Sequence, residues 1–565
     1  MTSTFPQATT LWGALRRTAD RHPDRDAILF GDRRVAYGEL LADVERVAAG
    51  FYALGIRPGD RVAVWLPNYP EWICSALALA QLGAVIVPVN TRYRQHEAEH
   101  VLAGSGVSTL IMTDRFMSNR YFDLLTSLCP ELAAAEAGAI QARRLPALRR
   151  VVMVSDESYP GTTRWSEVVE RGGDARLRAL VRDLGARVAT TDPLYIFWTS
   201  GTTAAPKGVV HDHTLVSNVE DYCDVLGITS ADRCVVSMPL FYIAGTMWCF
   251  ITPILSGAAM ILATELTADE VLTLIQAHRA TVLIGVPSMF VSYLEHPDLD
   301  RFDRRSLRTG WIGGAPPSGR LVRDIRLRLG VRELVQIYGM TETHGITTMT
   351  RRDDPDDVTS RRIGLPLPSF RLKVVDAETG QSLPDETPGE LCVGPPRLPV
   401  AFLGVSEADR LCMFDADGWL RTGDVVVRHR DGYYSLVGRI KDMAKVGGEN
   451  VASAEVEQVL TLHPAVIQAA AFGIPAEKKG EVVAAYVQFA AGASATEDEL
   501  REWVRARMAP FKVPSLVRVI DRPEDWPLTP SGKIKKFELR ERLLVTSSES
   551  VRRVIVVMPW VSVMP

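Results

Sequence analysis

The sequence of 565 residues lacks the features that define several common protein classes. Its net charge is −4 with both signs interspersed, so nothing indicates a nucleic-acid partner or an acidic membrane surface. The seven cysteines are odd in number, scattered and without a CxxC pair, which predicts a reducing cytoplasm. Arg16 and Arg17 interrupt the N-terminal region before any long apolar run, so we expect no signal peptide.

Charge is also absent from residues 237–264, a stretch long enough to cross a bilayer. Pro239, Pro253, Ser256 and Gly257 divide this stretch into shorter pieces. The pattern therefore favours a buried helix followed by a core strand, with a membrane span as the less favoured alternative.

Strand-like and helix-like segments alternate along the first part of the chain. Residues 61–66 read as a strand, 71–82 as a helix and 84–87 as the next strand. This rhythm predicts an α/β protein whose parallel sheets are covered by helices on both faces. After residue 430 shorter units follow, which predicts a separate small α+β domain of about 100 residues. Within it, Thr496 followed by Glu499 three positions later has the capping-box pattern, which predicts that a helix begins there.

A polar segment, Trp198 to Gly208, directly follows the apolar run 194–197. It combines hydroxyl residues, a glycine and one lysine, which together offer backbone N–H groups, hydroxyls and an ammonium to a polyphosphate. It is not the common P-loop, in which the lysine follows a glycine and precedes serine or threonine. Here Lys207 precedes Gly208, and Val209 comes next. A Ser/Thr/Gly-rich surface turn is the alternative interpretation.

Further candidate site segments follow in order, and not all of them are polar. They are Pro239–Gly245, Trp311–Pro316, Gln336–Thr343, Asp417–Asp424, Gly438–Asp442, Lys445–Gly448 and Pro527–Ile534. With the polar segment they resemble, over about residues 10–544, the signatures of the AMP-forming acyl-CoA synthetases of the adenylate-forming superfamily.

This resemblance implies a fold and a domain organisation. We expect a large N-terminal domain, residues 1–440, of α/β-covered sheets with a β-barrel-like subdomain, which binds ATP and the acid. A small mobile α+β domain, residues 441–544, is expected to follow. Residues 545–565 fall outside the resemblance and are expected to be a disordered tail.

The resemblance also implies roles for individual residues. Catalysis is assigned to Lys207, Thr341, Glu342 and Lys533, and Glu342 is the expected Mg²⁺ ligand. ATP and AMP are assigned to Thr199, Ser200, Gly201, Thr202, Thr203, Lys207, Gly314, Ala315, Pro316, Tyr338, Gly339, Met340, Thr341, Asp424, Arg439 and Lys533. The acyl pocket is assigned to Tyr242, Gly245, Gly313, Gly314 and Gly339, the hinge to Lys441, and the coenzyme A channel to Lys445, Gly447 and Gly448.

The implied reaction joins a carboxylic acid to coenzyme A with ATP and Mg²⁺, through an acyl-adenylate. The apolar segment Ile243–Phe250 favours a medium- or long-chain fatty acid, and an aryl acid remains an alternative. Three other functions stay open: an acyl-AMP ligase that loads a carrier protein, an amino-acid-activating domain and an inactive binding protein. A homodimer is compatible with the resemblance. Two residues depart from the family pattern. Ala204 replaces a glycine, which bears on the stiffness of the loop, and Tyr242 replaces a histidine, which bears on the range of acids accepted.

A hypothesis from another class rests on His96 and His100. The residues His96-Glu97-Ala98-Glu99-His100 match the HExxH pattern of zinc peptidases, and a helix would place both imidazoles on one face. The extended pattern is missing, because Ala103 and Gly106 occupy its glycine and histidine positions. The zinc peptidase is therefore the distant alternative.

Overall fold

The computed structural model describes residues 9–199, 206–446, 449–476, 480–529 and 532–544. The chain divides by its contacts into two compact units. The first contains Met1–Gly314, Arg323–Lys373 and Cys392–Arg421, and the second contains Ala315–Val322, Val374–Leu391 and Thr422–Pro565. The predicted boundary at residue 440 and the predicted tail remain predictions, and residues 545–565 lie outside the described part of the chain.

An eight-stranded sheet forms the centre of the first unit. Its central strands pair in parallel, as the alternation of strands and helices predicts. Successive residues of the strand Arg61–Trp65 enter two different hydrophobic clusters, so this sheet is buried on both faces. In spatial order the strands are Ala401–Leu403, Lys207–Asp212, Pro193–Thr199, Val85–Pro88, Arg61–Trp65, Thr109–Thr113, Arg150–Val154 and Thr163–Arg164.

Two four-stranded sheets complete the β-structure that concerns the site. The first has the order Arg233–Val236, Ala259–Leu262, Asp26–Phe30 and Arg33–Ala36. The second has the order Thr309–Gly313, Glu333–Tyr338, Thr348–Met349 and Leu365–Pro366. Val282 makes a parallel bridge to each sheet, so the two continue into one another. A hairpin of Arg115–Phe116 and Asn119–Arg120 stands apart.

Helices pack against these sheets through apolar faces. The helix Tyr37–Ala53 buries Leu40, Val44, Val47 and Phe51, which recur at the spacing of an amphipathic helix. The other helices of the first unit are Leu11–Arg21, Pro70–Leu82, Gln95–Ser105, Tyr121–Leu128, Trp165–Arg171, Ala175–Gly185, Thr214–Leu226, Ala268–His278, Pro287–Leu294, Asp356–Arg361 and Glu407–Met413. Shorter 3₁₀ or π turns are Pro130–Ala134, Leu299–Arg301, Ile325–Leu329 and Thr341–Thr343, and the helix Gly319–Asp324 has residues in both units.

The uncharged stretch 237–264 folds as short buried pieces. Helical turns Ile243–Gly245, Thr246–Ile251 and Thr252–Ser256 precede the core strand Ala259–Leu262. Gly257 ends the helical part in the left-handed conformation, at φ +78°. In the part of the chain that the structure describes, no helix has the length and apolar character to cross a membrane.

The hairpin Leu420–Arg428 and Tyr434–Arg439, most of whose residues belong to the second unit, forms a four-stranded sheet with Arg371–Val375 and Pro388–Gly394. A second sheet has the order Glu449–Ala452, Met443–Val446, Gly480–Phe489 and Val466–Ala476, with Leu516–Val519 parallel to Gly480–Phe489. The helices Ser453–Thr461 and Glu497–Arg505 pack on this sheet, and 3₁₀ turns are Ile440–Asp442, Pro510–Lys512 and Pro523–Asp525. The capping box predicted at Thr496 is present, since Thr496 and Glu499 exchange hydrogen bonds.

His213 joins the N-terminal helix to the sheet. Its Nδ1 accepts a hydrogen bond from the backbone N–H of Leu11 at 3.1 Å. Burial lowers the pKa of His213 from its usual 6.5 to about 4. The folded protein therefore holds this imidazole neutral, whereas the unfolded chain takes up a proton below about pH 6.5.

We predict that His213→Asn weakens the loss of stability between pH 7 and pH 5. Asparagine carries a side-chain oxygen that can accept in place of the imidazole nitrogen, but it does not titrate. The contribution of the neutral imidazole to the free energy of unfolding has its full value above pH 6.5. It falls by about 1.4 kcal/mol per pH unit as the pH decreases towards 4. Urea unfolding followed by tryptophan fluorescence should show about one proton fewer bound on unfolding in the variant. An unchanged pH slope would contradict the assignment, and exposed His96→Asn is the control.

Candidate active site

The polar segment lies between two paired strands of the eight-stranded sheet. Thr199 ends one strand and Lys207 begins the next, directly opposite it. The Thr199 Oγ1 is buried and has no hydrogen-bond partner among the described residues. A hydroxyl and an ammonium thus stand opposite each other on the paired strands. Ser200, Gly201, Thr202 and Thr203 lie outside the described residues.

Lys207 forms an ion pair with Glu342. Its Nζ lies 2.5 Å from the Glu342 Oε1, and the two side chains are 26% and 9% exposed. The Lys207 ammonium also lies 5.5 Å from the centre of the Phe402 ring, within range of a cation–π interaction. Removing the Glu342 carboxylate from water costs free energy, and the ammonium offsets that cost.

Glu342 belongs to a tight turn after the strand Glu333–Tyr338. Tyr338 is buried at the end of this strand, and Thr341, half-buried, begins the 3₁₀ turn that contains Glu342. The Thr343 hydroxyl accepts a hydrogen bond from the N–H of Met340 at 3.2 Å and contacts the Met340 carbonyl at 3.1 Å. These contacts hold the Glu342 carboxylate on rigid backbone.

Two glycines allow the backbone of this region to pack closely. A Cβ at Gly339 would lie 1.8 Å from the carbonyl oxygen of Gly345. A Cβ at Gly313 would lie 2.2 Å from the Ile337 Cγ1. Any side chain at Gly339 would therefore push the turn away from its neighbouring backbone.

A second contact joins the segments that carry Lys207 and Glu342. His211 and His344 are fully buried, with ring centres 4.8 Å apart. Burial lowers the pKa of both, that of His344 to about 3. Because alternate residues of a strand share a face, His211 lies on the same face as Lys207. The ion pair and the imidazole pair thus act between the same two segments.

Tyr242 belongs to a segment fixed by buried asparagines. The Asn68 side chain accepts a hydrogen bond from the Leu240 N–H at 3.0 Å and donates to the Met238 carbonyl at 3.1 Å. The Tyr242 hydroxyl accepts from the Asn90 Nδ2 at 3.0 Å, and burial raises its pKa, so the phenol stays neutral. Gly245 turns tightly beside it, since a Cβ there would lie 2.0 Å from the Pro239 carbonyl oxygen.

The second unit carries another charged pair. The Arg439 Nε donates to the Asp424 Oδ1 at 2.8 Å, and the two residues face each other across the hairpin. The Asp424 side chain is 4% exposed, whereas that of Arg439 is 46% exposed. The Asp424 carboxylate is therefore held in place by the hairpin.

The remaining predicted residues lie in turns and strands. Gly314, Ala315 and Pro316 are exposed after the strand Thr309–Gly313, and Lys445 is exposed on the strand Met443–Val446. Lys441 lies in the 3₁₀ turn Ile440–Asp442, and Gly447 and Gly448 lie outside the described residues.

Lys533 is exposed at the end of a narrow turn. Its N–H donates to the Thr529 hydroxyl at 3.0 Å, and its carbonyl accepts from the Thr529 N–H at 2.6 Å. Gly532 has φ +79° in this turn.

Three residues of the site were not found from the sequence. Phe402 meets Lys207 through the pairing of distant strands, and Asn90 meets Tyr242 across 152 positions, so no local pattern marks either. Thr343 lies within a recognised motif, but its bracing contacts depend on the turn conformation.

The residues of the HExxH pattern have other contacts. The Glu97 side chain accepts from the Arg94 N–H at 2.9 Å, and Glu99 pairs with Arg144. Within the described ranges no group of three His, Cys, Asp or Glu side chains could hold a metal ion.

Comparison with known proteins decides the family. Residues 15–399 match AMP-binding enzymes, and residues 455–533 match the C-terminal domain of AMP-binding enzymes. The chain belongs to the AMP-binding enzyme family. This confirms the predicted resemblance to AMP-forming acyl-CoA synthetases and the class of enzyme, and it sets the zinc-peptidase hypothesis aside.

Individual relatives cover nearly the whole chain. YngI of Bacillus subtilis, whose own assignment as an acyl-CoA synthetase is provisional, is 34% identical over 95% of this chain and 97% of its own. The mitochondrial medium-chain acyl-CoA ligase ACSF2 of Mus musculus is 33% identical over 95% of this chain and 88% of its own. The crystal structure of the anthranilate CoA ligase AuaEII superposes with a TM-score of 0.84 at 24% identity, covering 97% of this chain and 100% of that one, which confirms the predicted fold class.

The residues present fit the cosubstrates of this family, which are ATP with Mg²⁺ and coenzyme A. Mg²⁺ typically takes one or two protein carboxylates and completes its shell with substrate phosphates and water. The braced Glu342 carboxylate suits that role, and the buried Thr199 hydroxyl, without a partner in the described ranges, suits a phosphate oxygen.

We predict that Gly339→Ala lowers adenylate formation at least 100-fold. The added methyl would force the turn to move, and a shift of about 1 Å at a catalytic group is enough for such a loss. The melting temperature should also fall, since overpacking costs about 1–3 kcal/mol. Gly285→Ala is the matched control because its Cβ would lie 3.4 Å from its nearest neighbours. Normal acid-dependent ATP–pyrophosphate exchange by the Gly339 variant would refute the close packing as a requirement.

Proposed function

We propose that the protein converts a medium-chain fatty acid, ATP and coenzyme A to acyl-CoA, AMP and pyrophosphate. The observation that carries this proposal is the Lys207–Glu342 pair opposite the buried Thr199 hydroxyl, which has no hydrogen-bond partner among the described residues, in a chain of the AMP-binding enzyme family. These groups provide an ammonium and a hydroxyl for the phosphates of a nucleoside triphosphate, and a carboxylate for its Mg²⁺.

In the first half-reaction a carboxylate oxygen of the acid attacks the α-phosphorus of ATP. The bond between the α-phosphorus and the bridging oxygen breaks, and pyrophosphate leaves. Lys207 and residues Thr199–Thr203 hold the phosphates, Glu342 holds Mg²⁺, and Thr341 binds the α-phosphate. The charge that accumulates between two anions must be neutralised, and we assign this to the Lys533 ammonium.

The nucleoside is assigned to the residues that the family resemblance names for it. Tyr338 offers its ring to adenine, the backbone of Gly314–Pro316, Gly339 and Met340 approaches the base, and Asp424 accepts hydrogen bonds from the ribose hydroxyls. Arg439 fixes the Asp424 carboxylate, as its 2.8 Å contact supports.

In the second half-reaction the coenzyme A sulfur attacks the acyl carbonyl carbon. The bond to the phosphate oxygen breaks and AMP leaves. Lys441 is proposed as the hinge between the half-reactions, and Lys445, Gly447 and Gly448 as the residues along the pantetheine.

The acyl pocket and the relatives indicate the chemical class of the acid. The segment that follows Tyr242 is apolar and buried through Met247, Trp248 and Phe250. It suits an alkyl chain, and ACSF2 of Mus musculus is named for medium-chain acids. An aryl acid is the second candidate, since AuaEII acts on anthranilate. A carrier-protein acceptor in place of coenzyme A remains the third.

We also propose a cytoplasmic location and a homodimer. Seven free cysteines, five of them buried, suit a reducing compartment. Fractionation of the source cells and analytical ultracentrifugation test these two points separately.

We expect octanoate to support faster ATP–pyrophosphate exchange than hexadecanoate or benzoate. The exchange measures the first half-reaction, and AMP release with and without coenzyme A then measures the acceptor. Preference for benzoate would establish the aryl acid, and AMP release that ignores coenzyme A would favour a carrier protein. Absence of exchange with every acid would refute the proposed function.

We expect Lys533→Ala to lower adenylate formation by 10²–10³-fold. A preorganised donor at developing charge is worth about 2.7–4 kcal/mol of barrier. Thiolation of supplied acyl-adenylate should stay within about threefold of the wild type, because it needs no charge neutralisation at the α-phosphorus. Lys535→Ala is the control, as the Lys535 Nζ pairs with Glu538 at 2.7 Å. Equal loss of both half-reactions would contradict the role given to Lys533.

A further inference from the structure

His100 contacts the protein at the edge of the polar segment. Its Nε2 lies 3.1 Å from the carbonyl oxygen of Pro206. A carbonyl oxygen can only accept, so the Nε2 carries the proton and donates. The same imidazole stands edge-on to Trp198, with ring centres 4.9 Å apart and an angle of 78° between the planes. One side chain therefore contacts both residues.

The helix of His100 holds Trp198 at two further points. The Trp198 Nε1 donates to the Ser105 hydroxyl at 2.8 Å in a buried hydrogen bond. Gly104 makes room for the indole, since a Cβ there would lie 2.8 Å from the Trp198 Cη2. His100 and Gly104 are four residues apart and lie on one face of the helix Gln95–Ser105. That face is shaped to the indole.

These contacts fall where the chain leaves one strand and enters the next. Trp198 precedes Thr199, and Pro206 precedes Lys207. Thr199 and Lys207 face each other across the strand pair. The helix thus contacts the residues that directly precede Thr199 and Lys207, the two groups that the proposed function gives to the phosphates.

We propose that His100 is a positioning residue for Thr199 and Lys207. By donating to Pro206 while packing on Trp198, it fixes the separation of the Thr199 hydroxyl and the Lys207 ammonium. The proposal rests on the proposed function, because it presumes that these groups receive the triphosphate. It also gives the HExxH pattern a role unrelated to zinc: His100 braces the segment, and His96 is exposed on the same helix.

Three variants test the role. His100→Phe keeps an aromatic edge against Trp198 and removes the donor, whereas His100→Gln keeps a donor at the end of the side chain. His96→Phe applies the same change to the exposed histidine of the same helix and is the matched control. The readouts are the Kd for ATP by calorimetry, KM and kcat in ATP–pyrophosphate exchange, thiolation of supplied acyl-adenylate, and the melting temperature.

We expect His100→Phe to raise both the Kd and the KM for ATP about tenfold, as loss of one hydrogen bond predicts. Thiolation should be unchanged, His100→Gln should recover most of the affinity, and His96→Phe should equal the wild type. An unchanged ATP affinity in His100→Phe would overturn the proposal. So would equal losses in ATP affinity and thiolation with a lowered melting temperature, because they would mark a general structural role. If the wild type binds ATP but performs no exchange, the proposed function fails, while the comparison of ATP affinities still decides the role of His100.

Discussion

The ion pair between Lys207 and Glu342 is the constraint on which the candidate site depends. It joins the start of a strand in the eight-stranded sheet to the turn after a strand in a four-stranded sheet. A carboxylate that is 9% exposed needs a nearby cation, so the pair resists separation while both groups are charged. A bound nucleotide would offer each residue of the pair a stronger partner. Lys207 would meet a phosphate, and Glu342 would meet a divalent cation. Under the proposed function, the two charges stay together in the free protein until the substrate replaces each partner.

The surroundings of this pair restrict movement in several ways. Thr343 braces the turn of Glu342, Gly339 brings the turn against the backbone of Gly345, and the His211–His344 pair connects the same segments again. The neutral imidazoles add no charge to the site. Catalysis by positioning and charge neutralisation, without a covalent intermediate on the protein, needs such rigidity, because every group must meet the phosphates at a fixed distance.

The sequence predicted the local structure better than the contacts across the fold. Alternating apolar runs located the parallel strands, and the Thr496–Glu499 pattern located a helix start, because both depend on neighbours in the chain. The motifs named Lys207, Glu342, Tyr242 and Asp424 through a family resemblance, yet they did not reveal Phe402, Asn90 or the contact of His100 with Pro206. Those contacts join residues far apart in sequence, and strand register decides them. The HExxH pattern misled for the same reason: its spacing puts two histidines on one face, but tertiary contacts give the two different surroundings.

The central claim is that an acid oxygen attacks the α-phosphorus of ATP at the site that Lys207 and Glu342 organise. The most direct measurement uses octanoate labelled with ¹⁸O in its carboxylate, with ATP, Mg²⁺ and coenzyme A, followed by mass spectrometry of the products. The account predicts one ¹⁸O atom in the phosphate of AMP and none in pyrophosphate. Label in inorganic phosphate, or the formation of ADP in place of AMP, would show attack at another phosphorus and would contradict it.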